Sequence, residues 1–124
     1  MADHRSVKLT PDRYVTYRYA GASGDFNPIH IDDEYATAVG LPGRILHGLW
    51  TMAQVARVQG EAAGSPLALR SLSVQFRGMG VPEREIEITS TPRADDGSGT
   101  VTVDCEAKQG DSRLVRRGVA VLRI

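Results

Sequence analysis

Residues 45–56 read ILHGLWTMAQVA and carry no formal charge when His47 is neutral. Leu49, Trp50, Met52, Ala53, Val55 and Ala56 cover most of a helix circumference. A helix that is apolar nearly all round is a buried one. Charge returns at Arg57, and the segment from Gly60 to Gly64 closes the run. The stretch therefore predicts the central helix of the domain, and the rest of the chain is read as what surrounds it.

Downstream, everything after Pro66 alternates. Leu72, Val74 and Phe76 oppose Ser71, Ser73, Gln75 and Arg77, and Ile86 and Ile88 oppose Glu85, Glu87 and Thr89. Val101, Val103, Cys105 and Ala107 oppose Thr100, Thr102, Asp104, Glu106 and Lys108. In the last run Val119 and Val121 lie among Arg117 and Arg123, with Ala120, Leu122 and Ile124 on the other face. Period-two patterning means antiparallel strands with one buried face. Turns fall at Gly78–Pro82, Asp95–Gly99 and Gly110–Ser112. One buried helix followed by four antiparallel strands is an α+β layout in which the sheet wraps the helix. The last run is apolar on parts of both faces, which points to a further contact.

Upstream, a short strand is expected near Arg5–Leu9. Thr10-Pro11-Asp12 carries a helix-start signal: a hydroxyl cap, proline at the first helical position, then an acid at the positive dipole end. That helix is expected to run to about Ala22. It delivers the string YAGASGDFNPIHID, residues 19–32. Asp25 and His30 are a closely spaced carboxylate–imidazole pair among small and turn-forming residues. Pro28 fixes its own φ and pushes Asn27 into an extended conformation, so the segment turns. A turn inside Asp-x-x-x-x-His brings both side chains toward one point. A regular helix or strand would send them to different faces. A lone Asp and a lone His at this spacing are more often a turn cap and a satisfied loop histidine. Further on, Asp32 is expected to cap a short helix through Ala38, ended by Gly40.

The full string carries more than the pair. It resembles the hydratase/dehydratase motif of the MaoC-like family, the R-specific enoyl-thioester hydratases, at Tyr19, Ala20, Ser23, Gly24, Asp25, Asn27, Pro28, His30 and Asp32. His47-Gly48, opening the apolar helix, resembles a second block of the same family. The resemblance covers residues 14–56 and is a matter of strand pattern beyond. It implies a single hotdog domain over residues 1–124 that interconverts trans-2-enoyl and (3R)-3-hydroxyacyl thioesters. Asp25 and His30 would hold and activate water, and the Gly48 N–H would stabilise the developing enolate oxygen. The helix start supports the last role, because its N–H groups lack intrahelical partners and its dipole end is positive. Ser23 and Asn27 would orient the loop; Trp50, close after Gly48, is read either as limiting an acyl tunnel or, as is more usual for a tryptophan, as core. His47 is read as structural. Two departures stand out: the segment before the first helix is short, and Gly-Val-Pro-Glu-Arg replaces an expected Pro-Gly-Asp turn after Phe76.

Composition narrows the classes. Across 124 residues, Lys plus Arg and Asp plus Glu are balanced at 15 each, which argues against a nucleic-acid or membrane-surface role. There is one cysteine, so no intrachain disulfide forms. Cys105 sits on an apolar strand face and reads as core. The histidines at 4, 30 and 47 lack zinc spacing, and no nucleotide-binding glycine motif is present. No metal and no cofactor are expected. The expected partners are an acyl-CoA or acyl-carrier-protein thioester, with Arg44, Arg70, Arg77 and Arg84 as candidates for carrier phosphates, and a second chain in a homodimer or related heterodimer. A cytoplasmic location is the default. The alternatives are a hotdog thioesterase, which would want an acid on the central helix before Glu61, and a non-catalytic partner subunit, which would not need the Asp–His pair.

Overall fold

Alternation in the second half of the chain produces one antiparallel sheet, seen in a computed structural model that describes residues 3–124. The elements are β1 (Arg5–Leu9), α1 (Val15–Ser23), α2 (Pro28–Ile31), α3 (Asp33–Ala38), α4 (Gly48–Ala63), β2 (Leu69–Phe76), β3 (Ile86–Pro92), β4 (Thr100–Gln109) and β5 (Ser112–Arg123). Strand order is β1-β3-β4-β5-β2. β3, β4 and β5 follow one another, whereas β2 is carried to the far edge beside β5 and β1 closes the other edge on β3. Alternation fixes which face a strand buries but not which strand lies beside it.

The inner face packs on α4. Ile86 and Ile88 from β3, Val101, Val103, Cys105 and Ala107 from β4, and Val115, Ala120 and Leu122 from β5 form one core with Val55 and Val58 of the helix. Val115 and Ala120 differ in parity yet face the same way, because the register between β4 and β5 slips past Cys105. Arg117 takes φ 50° at the slip. Gly118 is required there, since a Cβ would come within 2.7 Å of the Cys105 carbonyl oxygen. Past the bulge the strand alternates normally, with Ala120 and Leu122 buried and Val119 and Val121 half-buried on the other face.

Three expectations change. Helix α1 begins at Val15 rather than at Thr10-Pro11. The Pro11 carbonyl instead accepts from the Glu83 N–H at 2.7 Å, while the Asp12 carboxylate caps the Tyr14 N–H at 2.7 Å. Helix α4 is buried on one side only, through Thr51, Val55, Val58, Gln59 and Gly60. A single sheet covers a single flank, so Leu49 is left 61% exposed. Phe76 belongs to an edge strand and is half exposed. Its ring lies against Gly48, where a Cβ would meet it at 3.1 Å.

Candidate active site

Helix α1 ends at Gly24, whose φ of 79° is left-handed and reverses the chain into Asp25. The Ser23 hydroxyl donates to the Tyr19 carbonyl at 2.7 Å and accepts the Asp25 N–H at 3.1 Å. Asp25 Oδ1 then accepts the Asn27 N–H at 3.2 Å, which leaves Oδ2 free to face inward. Asn27 caps α2, its side-chain oxygen accepting the Ile29 N–H at 3.2 Å, with Pro28 at the first helical position. Ser23 and Asn27 therefore meet Asp25 through backbone groups of one tight turn. His30 rides on the single turn of α2 and is buried.

The His30 tautomer follows from its partner. Nδ1 lies 2.8 Å from the Ile45 carbonyl oxygen. A carbonyl only accepts, so Nδ1 carries the proton and Nε2 of the neutral ring is a bare acceptor. Ile45 is itself fixed by its N–H to the Ile29 carbonyl at 2.9 Å. His30 Nε2 sits 3.8 Å from Asp25 Oδ2. That is too long for a direct hydrogen bond and leaves space for one water about 2.8 Å from each atom. Such a water donates one O–H to the carboxylate and one to Nε2, and turns its oxygen lone pairs outward.

Gly48 opens α4. His47 is the N-cap residue and offers no side-chain cap, and the first intrahelical bonds come from the Trp50 and Thr51 N–H groups to the His47 carbonyl. The Gly48 N–H precedes them at the positive end of the helix. Gly48 and His30 line one cavity of about 160 Å³, walled by Leu46, Phe76, Met79 and Leu114. Trp50 lies elsewhere. It lines a groove with Leu9, Val15 and Tyr19 and packs against the core, away from that cavity.

His47, read from the sequence as structural, lies in the same cluster as Asp25 and His30. It is 2% exposed, its ring stacks on His30 with centroids 3.8 Å apart and planes at 21°, and its Nε2 lies 3.0 Å from the Asp25 carbonyl oxygen. Arg44 goes the other way. Its guanidinium pairs with Asp33 at 2.8 Å and also reaches the Thr16 hydroxyl and the Arg13 carbonyl. It clips α1 to α3 and is spent on the fold rather than on phosphate. The Arg44 N–H, more than its charge, holds the Asp33 carboxyl below the usual carboxylate range. Burial pushes the Cys105 thiol up to about 11, as befits a core cysteine.

Asp25, His30 and His47 offer ligand atoms within 4.8 Å of one another. The cluster does not suit a metal. A metal lies in the plane of each imidazole it binds, and the two rings are stacked nearly parallel. The arrangement fits water held between a carboxylate and an imidazole, with a backbone donor across the cavity.

A sheet wrapped on one helix, with this constellation at the helix start, defines a hotdog domain of the dehydratase type. The profile of the MaoC-like domain matches residues 2–110, and the chain belongs to that family. It is 38% identical over 72 residues to the fatty acid synthase beta subunit TOXC of Cochliobolus carbonum, covering 56% of this chain and 4% of that protein. It is 40% identical over 71 residues to the peroxisomal enoyl-CoA hydratase 2 of Arabidopsis thaliana, covering 56% of this chain and 22% of that one. The chain thus spans a small part of the curated relatives it matches. Among solved structures, a MaoC-like dehydratase superposes with TM-score 0.92 at 27% identity, covering all of this chain and 40% of the other. An (R)-hydratase from A. caviae involved in PHA biosynthesis superposes with TM-score 0.88 at 18% identity over 99% of this chain and 95% of its own. The second likeness speaks to the fold.

Proposed function

We propose that this chain adds water to trans-2-enoyl thioesters to give (3R)-3-hydroxyacyl thioesters, and runs the reverse dehydration. The observation that carries this is the 3.8 Å gap between Asp25 Oδ2 and a His30 Nε2 left bare by its tautomer. In hydration, Asp25 orients the water and His30 Nε2 takes its proton as the oxygen bonds to C3. The electron pair moves through C2 onto the thioester oxygen, where the Gly48 N–H receives the charge. The proton then passes from Nε2 to C2, so the elements of water are added in full and no redox partner is needed. The apolar cavity beside His30 and Gly48 seats the acyl end.

The carrier is coenzyme A or acyl carrier protein. Arg77 follows Phe76, which lines the cavity, and is a candidate for carrier phosphate that remains once Arg44 is committed to Asp33 and Thr16. A homodimer, or a heterodimer with a related chain, is supported by exposed Leu49, Phe76 and Met79 beside the β2 edge, where an unpaired strand invites a partner. Light scattering that gave a monomer at micromolar concentration would count against it. No helix among the described residues is long and apolar enough to cross a membrane. The cytoplasmic reading rests on composition.

The direct test follows crotonyl-CoA by loss of enoyl-thioester absorbance, with chiral analysis of the product. The 3R alcohol is expected, and the 3S alcohol would overturn the assignment. Release of free thiol without hydration would instead favour the thioesterase reading. Glu61, the first acid on α4, stands far along the helix from Gly48 and pairs with Arg57 at 2.8 Å.

A further inference from the structure

We infer that His47 is a positioning residue of the site: it sets where the Asp25 carboxylate stands and backs the His30 ring. Three observations converge. Its Nε2 is 3.0 Å from the Asp25 carbonyl oxygen, which only accepts, so the neutral ring carries its proton on Nε2. Its face stacks on His30 at 3.8 Å, with Tyr19 packed on it at 4.8 Å. Its Nδ1 is buried and has no hydrogen-bond partner.

The orphaned Nδ1 is the informative one. A buried acceptor without a donor is a cost to the fold. A phenyl ring would fill the same slot and stack on His30 without that cost. What the phenyl ring cannot do is donate to the Asp25 carbonyl. That bond ties the exposed Asp25 turn to the start of α4, the element that also presents the Gly48 N–H. One residue therefore couples the carboxylate to the backbone donor. Its stacked face stops the His30 ring from tilting about its single anchor to Ile45. The nitrogen that faces no partner is the one the coupling does not use.

The kinetic part of this inference rests on the hydratase reading above, and the test separates the two. His47→Phe keeps the stack and loses the donor. His47→Gln places an amide N–H close to where Nε2 stands and loses the stack. With crotonyl-CoA, His47→Phe is expected to lower kcat on the order of tenfold or more with KM little changed, because the reacting groups shift while the thioester still binds. His47→Gln is expected to recover a measurable part of that loss. Equal kcat in His47→Phe and wild type, or a loss in His47→Gln as deep as in His47→Phe, would overturn the donor role. Nitrogen-15 correlation spectra of the wild type need no substrate. They are expected to show neutral His47 protonated on Nε2 and neutral His30 on Nδ1. His47 protonated on Nδ1 would overturn the inference whatever the activity. Absent turnover with the expected tautomers would count against crotonyl-CoA as the substrate and leave the placement of His47 standing.

Discussion

Asp25 and His30, the two groups proposed to share the water, are held in opposite ways. The His30 side chain is 10% exposed and that of Asp25 is 53% exposed. His30 is fixed from a distance, by a carbonyl fifteen residues on that is itself bonded back to Ile29. Asp25 is fixed locally, by the Ser23 hydroxyl and the Asn27 N–H within its own turn, and by one long-range bond from His47 to its carbonyl. A buried base needs its tautomer chosen by the fold, because water cannot correct it. An exposed carboxylate meets water on its open side and needs only a direction. In the proposed reaction the pair divides the work: Asp25 orients the water and His30 takes its proton.

The comparison can be broken on either side, and also at the donor across the cavity. Gly48→Pro removes the backbone N–H at the helix position where proline is best tolerated, after a residue already extended at φ −67° and ψ 132°, and the half-exposed Phe76 ring must give way to the added Cβ. Hydration is expected to fall on the order of 10²-fold, with helix content kept by circular dichroism. Ser23→Ala acts only on the local side and leaves an amide that water can reach. A few-fold loss in kcat, worth about 1 kcal/mol, is expected from steady-state kinetics.

Two further tests leave the site alone and read how the surroundings are built. Cys105, raised to about 11, is expected to resist thiol reagents in the native state and to react on unfolding in urea. Its folded pKa lies above the unfolded one, so its share of stability is complete below about 9 and is lost as pH rises through the folded value. Asp33 has the opposite sign. Its folded pKa is depressed, so its contribution is present above the unfolded value near 3.9 and is lost as pH falls through the folded one. The carboxylate is largely exposed and screened, so Asp33→Asn is expected to flatten the acid limb of the Tm profile only slightly.

These differences track what the sequence discloses. The Asp25 turn was legible, since Gly24, Asn27 and Pro28 each impose a local geometry within three residues. The β1 strand, the Asp32 cap on Tyr35 and the Gly64 end of α4 were legible for the same reason. The buried face of Cys105 followed from period two. What escaped depends on contacts between distant segments. The start of α1 was misplaced because Glu83 claims the Pro11 carbonyl from across the fold. Phe76 was expected inside because alternation says nothing of where an edge strand outruns the helix that covers it. Of the two readings of Trp50 the core one matches, because two helical steps from Gly48 turn it toward α1. Arg44 looked like a surface cation until Asp33 and Thr16 closed around it. His47 carried one usable signal: a histidine in an otherwise uncharged apolar run must find a polar partner.

The central claim is that Asp25 and His30 work as one unit on one water, and a double-substitution cycle on crotonyl-CoA hydration tests it most directly. Asp25→Asn and His30→Ala are each expected to lower kcat on the order of 10²-fold or more. The double variant is expected to fall little further, because removing either group already releases the water. Independent losses that multiply in the double variant, or turnover that survives both substitutions, would contradict it.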